Sequence, residues 1–121
     1  MDDKYFVVIH PDGFVKLERS DGGAKEIHRL VEGYFENVYI RIHGLPVVIS
    51  VNEEMLINDS AFNFLATRVT EDSVFVCGPA VLMKLVRLDN EYEELDQVPF
   101  SYEEVLMIFS HVEELRYTLF D

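Results

Sequence analysis

Ser101 opens the stretch that most restricts how this chain folds. Glu104 stands three residues on, in the S-x-x-E pattern. There a hydroxyl and a carboxylate each accept a hydrogen bond from the other residue's backbone N–H. Val105, Ile108, Val112, Leu115 and Leu119 follow at spacings of 3, 4, 3 and 4, one stripe of a 3.6-residue helix. Leu106 and Phe109 widen it. The pattern predicts an amphipathic helix over 102–117. An apolar side this wide packs on the chain's own sheet, so the remaining sequence must supply strands.

It does. "KYFVVI" (4–9) and "FVKLE" (14–18) flank the turn residues Pro11, Asp12 and Gly13 and read as a hairpin. "AKEIHRLVE" (24–32) places Ile27, Leu30 and Val31 on one helical side, with Ser20 or Asp21 as cap and Gly33 as stop. "YFENVYIRI" (34–42) reads as a strand, and "VVISV" (47–51) as a central one because it is nearly all apolar. "AFNFLATRV" (61–69) reads as a short helix capped by Asp59 or Ser60. "SVFVCG" (73–78) and "AVLMKLV" (80–86) read as two further strands, bent at Gly78-Pro79. With 121 residues the chain is one α+β domain. Its sheet is mainly antiparallel, with about five to six strands. Two or three helices pack on it, the C-terminal one longest.

Composition removes several function classes. The net charge is -13, which opposes direct binding to nucleic acid or anionic membrane. Longest apolar runs fall far short of the roughly 20 residues of a membrane span. "MDDKYFVVIHPDG" carries no signal-peptide pattern, so a cytoplasmic location is expected. Cys77 lies in apolar sequence and reads as a small buried hydrophobe.

A string of short motifs carries a resemblance. Leu30-Val31-Glu32-Gly33-Tyr34-Phe35-Glu36 matches a helix end written "LVGGYIE". Asn52-Glu53-Glu54 matches a "(D/N)EEG" turn, and Asn63, Ala66 and Thr67 match "N-x-x-A-T". Val76 and Gly78 match a strand ending near a glycine. Over residues 5–84 the chain thus resembles a small domain-of-unknown-function family of phages, plasmids and other mobile elements. Glu32 and Met55 stand where that family has glycines. The resemblance implies a mobile-element context but no activity. It implies structural roles for Gly33, Tyr34, Asn52, Glu53, Glu54, Asn63, Ala66, Thr67 and Gly78.

No catalytic constellation emerges, and an enzyme is not expected. His28 and Glu32 sit four apart on a predicted helix, and two ligands without a third make a surface pair. Asp12 beside His10 reads as a turn-stabilising residue. His111, Glu113 and Glu114 read as a solvated helix side. No metal, cofactor or phosphate loop is expected.

Charge clustering is the remaining signal. Residues 88–115 hold nine carboxylates and no Lys or Arg. Spread over about 6,700 Å² for a domain of this size, the whole net charge is several times sparser than duplex DNA. Clustered here, it approaches the duplex density. Asp89, Glu91, Glu93, Glu94, Asp96, Glu113 and Glu114 are the expected acidic face. Glu103 and Glu104 suit a helix N-terminus, whereas Glu113 and Glu114 oppose the helix dipole. Two readings follow: an interaction module presenting this face to a basic protein, or a small scaffold, possible as a homodimer, whose acidity serves solubility.

Overall fold

The computed structural model describes residues 4–19, 24–54, 61–87 and 95–118. Strands β1 (Tyr5–Ile9) and β2 (Val15–Arg19) form the hairpin, and helix α1 (Ala24–Val31) follows. β3 (Phe35–Ile42) and β4 (Leu45–Asn52) make a second hairpin. α2 (Phe64–Val69), β5 (Ala80–Arg87), β6 (Leu95–Val98) and α3 (Tyr102–Thr118) complete the domain. The sheet runs β2-β1-β5-β4-β3, all antiparallel, with β6 also paired to β5. The α+β architecture with a longest C-terminal helix is the one expected.

β5 is a shared spine. Ala80 to Leu82 pair with β1, and Lys84 to Arg87 pair with β6 on the same flank. Tyr5 and Phe100 exchange backbone hydrogen bonds of 3.0 and 2.8 Å, which join the two partners of that flank.

Alternation along the strands fills two cores. Val7, Ile9, Val47, Ile49, Val51, Ala80 and Leu82 face α2 and α3. Phe6, Val8, Val48, Val81 and Met83 face Ile27 and Val31 of α1. Both sides of the central strands are covered, which is why their sequences read as nearly continuous apolar runs. Val105, Ile108 and Val112 of α3 are fully buried. Ser101 and Glu104 form the capping box, Ser101 N–H donating to Oε1 at 2.8 Å and Glu104 N–H to Oγ at 3.3 Å.

Several expectations need correction. α2 begins at Phe64, and its cap is Asn63, whose side chain accepts from Ala66 N–H. Asp59, Ser60, Ser20 and Asp21 lie outside the described residues. Residues 73–78 are not a strand and hold a single bridge, Phe62 to Cys77. Their donors are drawn elsewhere: Val76 N–H goes to Thr67 Oγ1 and Gly78 N–H to the Ala61 carbonyl. "LDQV" (95–98), expected as loop, is a strand. Leu106 lies off the apolar stripe and is half exposed. Glu32, not Gly33, takes the left-handed position after α1, at φ 65°.

Candidate functional site

Of the expected acidic face, Asp89, Glu91, Glu93 and Glu94 lie outside the described residues. Asp96 is an exposed strand residue on β6. Two of the described carboxylates of α3, Glu104 and Glu113, have individual partners. Glu104 bonds Lys84 Nζ at 3.0 and 3.2 Å, tying α3 to β5. Burial alone would raise its pKa. The Ser101 backbone N–H, Lys84 and the Ser101 hydroxyl outweigh burial and hold it below the ordinary value. Glu113 pairs with Arg116 Nε at 3.1 Å, while Arg116 also donates to the Gly13 carbonyl at 2.8 Å. That contact anchors the C-terminal half of α3 to the first hairpin, which gives Glu113 a purpose despite the helix dipole.

The motif residues are hydrogen-bonded into the frame. Asn52 is buried, and its Nδ2 donates to the carbonyls of Val31 (3.0 Å) and Glu32 (3.3 Å). Its Oδ1 accepts from Glu54 N–H, and Glu53 N–H donates to the Tyr34 carbonyl. A Cβ at Gly33 would stand 2.9 Å from Asn52 Nδ2, so glycine there permits a close approach. Asn63 is fully buried and donates to the carbonyls of Ile9 and Gly78, each at 2.8 Å. Ala66 is fully buried, and Gly78 adopts φ 77°. His28 bonds the Gly33 carbonyl at 2.8 Å, and Glu32 lies beyond the helix end, so the two do not share a helical side.

Asn63 is flanked by exposed aromatic rings. Phe62, Phe64 and Phe75 are 38%, 51% and 56% exposed. Phe62 stacks on Phe75 with centroids 4.4 Å apart and meets Phe64 edge-on at 5.7 Å. Phe62 and Phe64 flank Asn63, whose extended backbone sends these alternate side chains one way. Reading 61–69 as continuous helix concealed this. A shallow open depression lined by His10, Pro11, Asp12, Phe14, Lys16 and Ala61 begins at the residue before Phe62.

A second cluster joins residues distant in sequence. His43, on the β3–β4 turn, meets His111 and Glu114 of α3 with ligand atoms all within 4.8 Å of one another. The imidazoles are edge-to-face, centroids 5.4 Å apart. His111 is half buried, not part of a solvated helix side. Burial pushes its pKa below the ordinary value, His43 adds to this, and Glu114 and Glu71 oppose it. Cys77 is buried, and burial pushes its thiol up, away from the reactive thiolate. Among the described residues no helix is long and apolar enough to cross a membrane.

A family model described as a domain of unknown function, DUF3846, matches residues 4–106. The chain belongs to the DUF3846 family. No curated protein and no solved structure matches it. The DUF3846 match passes residue 84, where the motif resemblance ends, and takes in β6 and the capping box. It contains the aromatic trio and His43, while His111 and Glu114 lie beyond it.

Proposed function

We propose that this DUF3846 domain is an interaction module without chemistry of its own. It docks a basic protein through Phe62, Phe64 and Phe75, and its acidity speeds and selects the encounter. The observation that carries this reading is the trio itself. Three rings stand in water on backbone that Asn63 fixes with four hydrogen bonds from one residue's side chain and N–H. Rigid aromatic anchors lose little conformational entropy on binding and dominate interface energetics. The net charge of -13 attracts a basic partner from a distance and repels nucleic acid. In this reading the chain works in the cytoplasm, encoded by a mobile element, and inhibits or diverts a basic host or element protein.

The test is capture from host lysate, followed by measured affinity for the recovered protein. Phe62→Ser with Phe75→Ser lowers affinity by more than about tenfold at any salt, since each lost anchor costs at least about 1–2 kcal/mol. Amide substitution of Glu91, Glu93, Glu94 and Asp96 slows association at low salt, and the gap closes as salt rises. The same treatment of Asp2, Asp3, Glu71 and Asp72 is the control for net charge. Affinity untouched by the aromatic pair and by the first amide set would end this reading.

A second reading has one observation in its favour. β3 is an eight-residue edge strand with Tyr39 60% exposed, and an open edge invites pairing. A homodimer through β3 in light scattering, abolished by Tyr39→Pro at a position whose N–H faces away from β4, would favour the scaffold.

A further inference from the structure

The side chains of His43, His111 and Glu114 are without an assigned task. They converge from a hairpin turn and a helix separated by 68 positions in the chain. Their placement is firm. His43 and Gly44 form a two-residue turn with φ 50° and 83°, between the paired residues Ile42 and Leu45, a short hairpin connection with little slack. His111 and Glu114 are three apart on α3 and therefore neighbours on one side of the helix. That helix is held by buried Ile108 and Val112 and by the Arg116–Gly13 contact. None of the three side chains makes a hydrogen bond or an ion pair with another described residue, so no bond must be broken to occupy them.

We propose that His43, His111 and Glu114 bind a divalent transition-metal ion of the zinc type. Two imidazoles and one carboxylate are the donors such an ion takes, and water fills the fourth position on the exposed side. Calcium and magnesium are the wrong class, since they require a shell built of oxygens. Copper(I) prefers sulfur, and the buried Cys77 is not one of the grouped ligands. Ligand bonds of about 2.0–2.1 Å place tetrahedral donors about 3.4 Å apart. Closing from within 4.8 Å requires side-chain torsions only, because His43 and Glu114 are exposed. The ion would staple the β3–β4 turn to the C-terminal half of α3. It binds the folded chain alone and so raises stability by mass action. This site is independent of the aromatic trio.

Tag-free protein, stripped with chelator, is titrated with Zn²⁺ by calorimetry and with Co²⁺ by visible absorption. The expected result is one ion per chain, the intense visible bands of tetrahedral Co²⁺, and a melting temperature that rises with Zn²⁺. His43→Ala and His111→Gln each weaken binding about a hundredfold or more, at or beyond the top of the range for second-shell losses. Glu114→Gln weakens it about tenfold or more. His10→Ala, which is not one of the grouped ligands, leaves affinity and stoichiometry unchanged. Metal-free melts report whether each variant folds, and His43→Ala, at an exposed position, carries the test if His111→Gln does not fold. Absence of one-to-one binding, equal affinity in His43→Ala and wild type, or loss of binding in His10→Ala overturns the proposal.

Discussion

Asn63 connects three parts of the chain through one side chain: the end of β1, the start of α2 and the bend at Gly78. Asn63→Ala removes a helix cap worth about 1 kcal/mol and leaves two buried carbonyls unsatisfied at about 1–3 kcal/mol each. The expected loss is therefore about 4 kcal/mol in the urea-denaturation free energy. Asn63→Asp does more damage despite its equal size, because it turns a donor into an acceptor facing two carbonyls and buries a charge. A loss under about 1 kcal/mol for Ala, or tolerance of Asp, would show that these bonds matter little. The sequence made Asn63 visible as a motif residue but not as the cap. Asp59 and Ser60 are equally good caps locally, and the choice is made by carbonyls 54 and 15 residues away. The same limit hid the pairing of His43 with His111, since a search for ligand spacing along the chain sees only neighbours.

α3 was legible because its signals are local: a capping box and a periodic stripe. β6 was not. "LDQV" is too short and too polar to announce a strand, and the open flank of β5 specifies it. "SVFVCG" has strand-like composition, yet α2 and Ala61 take its backbone donors, so context overrides propensity. One consequence for α3 concerns acid. Glu104 has a pKa depressed below the ordinary 4.5, so the unfolded chain takes up its proton first. Its stabilising contribution is complete above pH 4.5 and lost as pH falls through the folded value. Urea midpoints measured from pH 6 downwards should therefore drop more steeply below about pH 4.5 for wild type than for Glu104→Gln. Parallel curves would mean that the Lys84–Glu104 tie and the cap leave acid stability to other groups.

The whole molecule carries 23 acidic and 10 basic residues, and only a few described pairs offset them: Lys16–Glu18, Arg29–Glu26, Arg68–Asp72, Lys84–Glu104 and Arg116–Glu113. Repulsion among the remaining carboxylates opposes the compact state. Raising NaCl from about 10 to 200 mM shortens the Debye length from about 30 to below 10 Å. The melting temperature should rise over that range. A fall would mean that the pairs outweigh the repulsion. The central place of β4 was readable from its nearly continuous apolar run, whereas the distribution of charge over the surface was not, because it depends on which carboxylates find a cation across the fold. The joint flank of β5, where β1 gives way to β6 and Tyr5 meets Phe100, also bears on synthesis at the ribosome. A nascent chain released as far as Arg87 has every strand of the main sheet in hand. It still lacks the segment that closes the spine beside β1 and the helix that roofs the larger core. Until residues 95–100 emerge, half of β5 presents bare amides and carbonyls to the cell and Tyr5 lacks its partner Phe100, so the last fifth of the chain serves as the latch on the first strand.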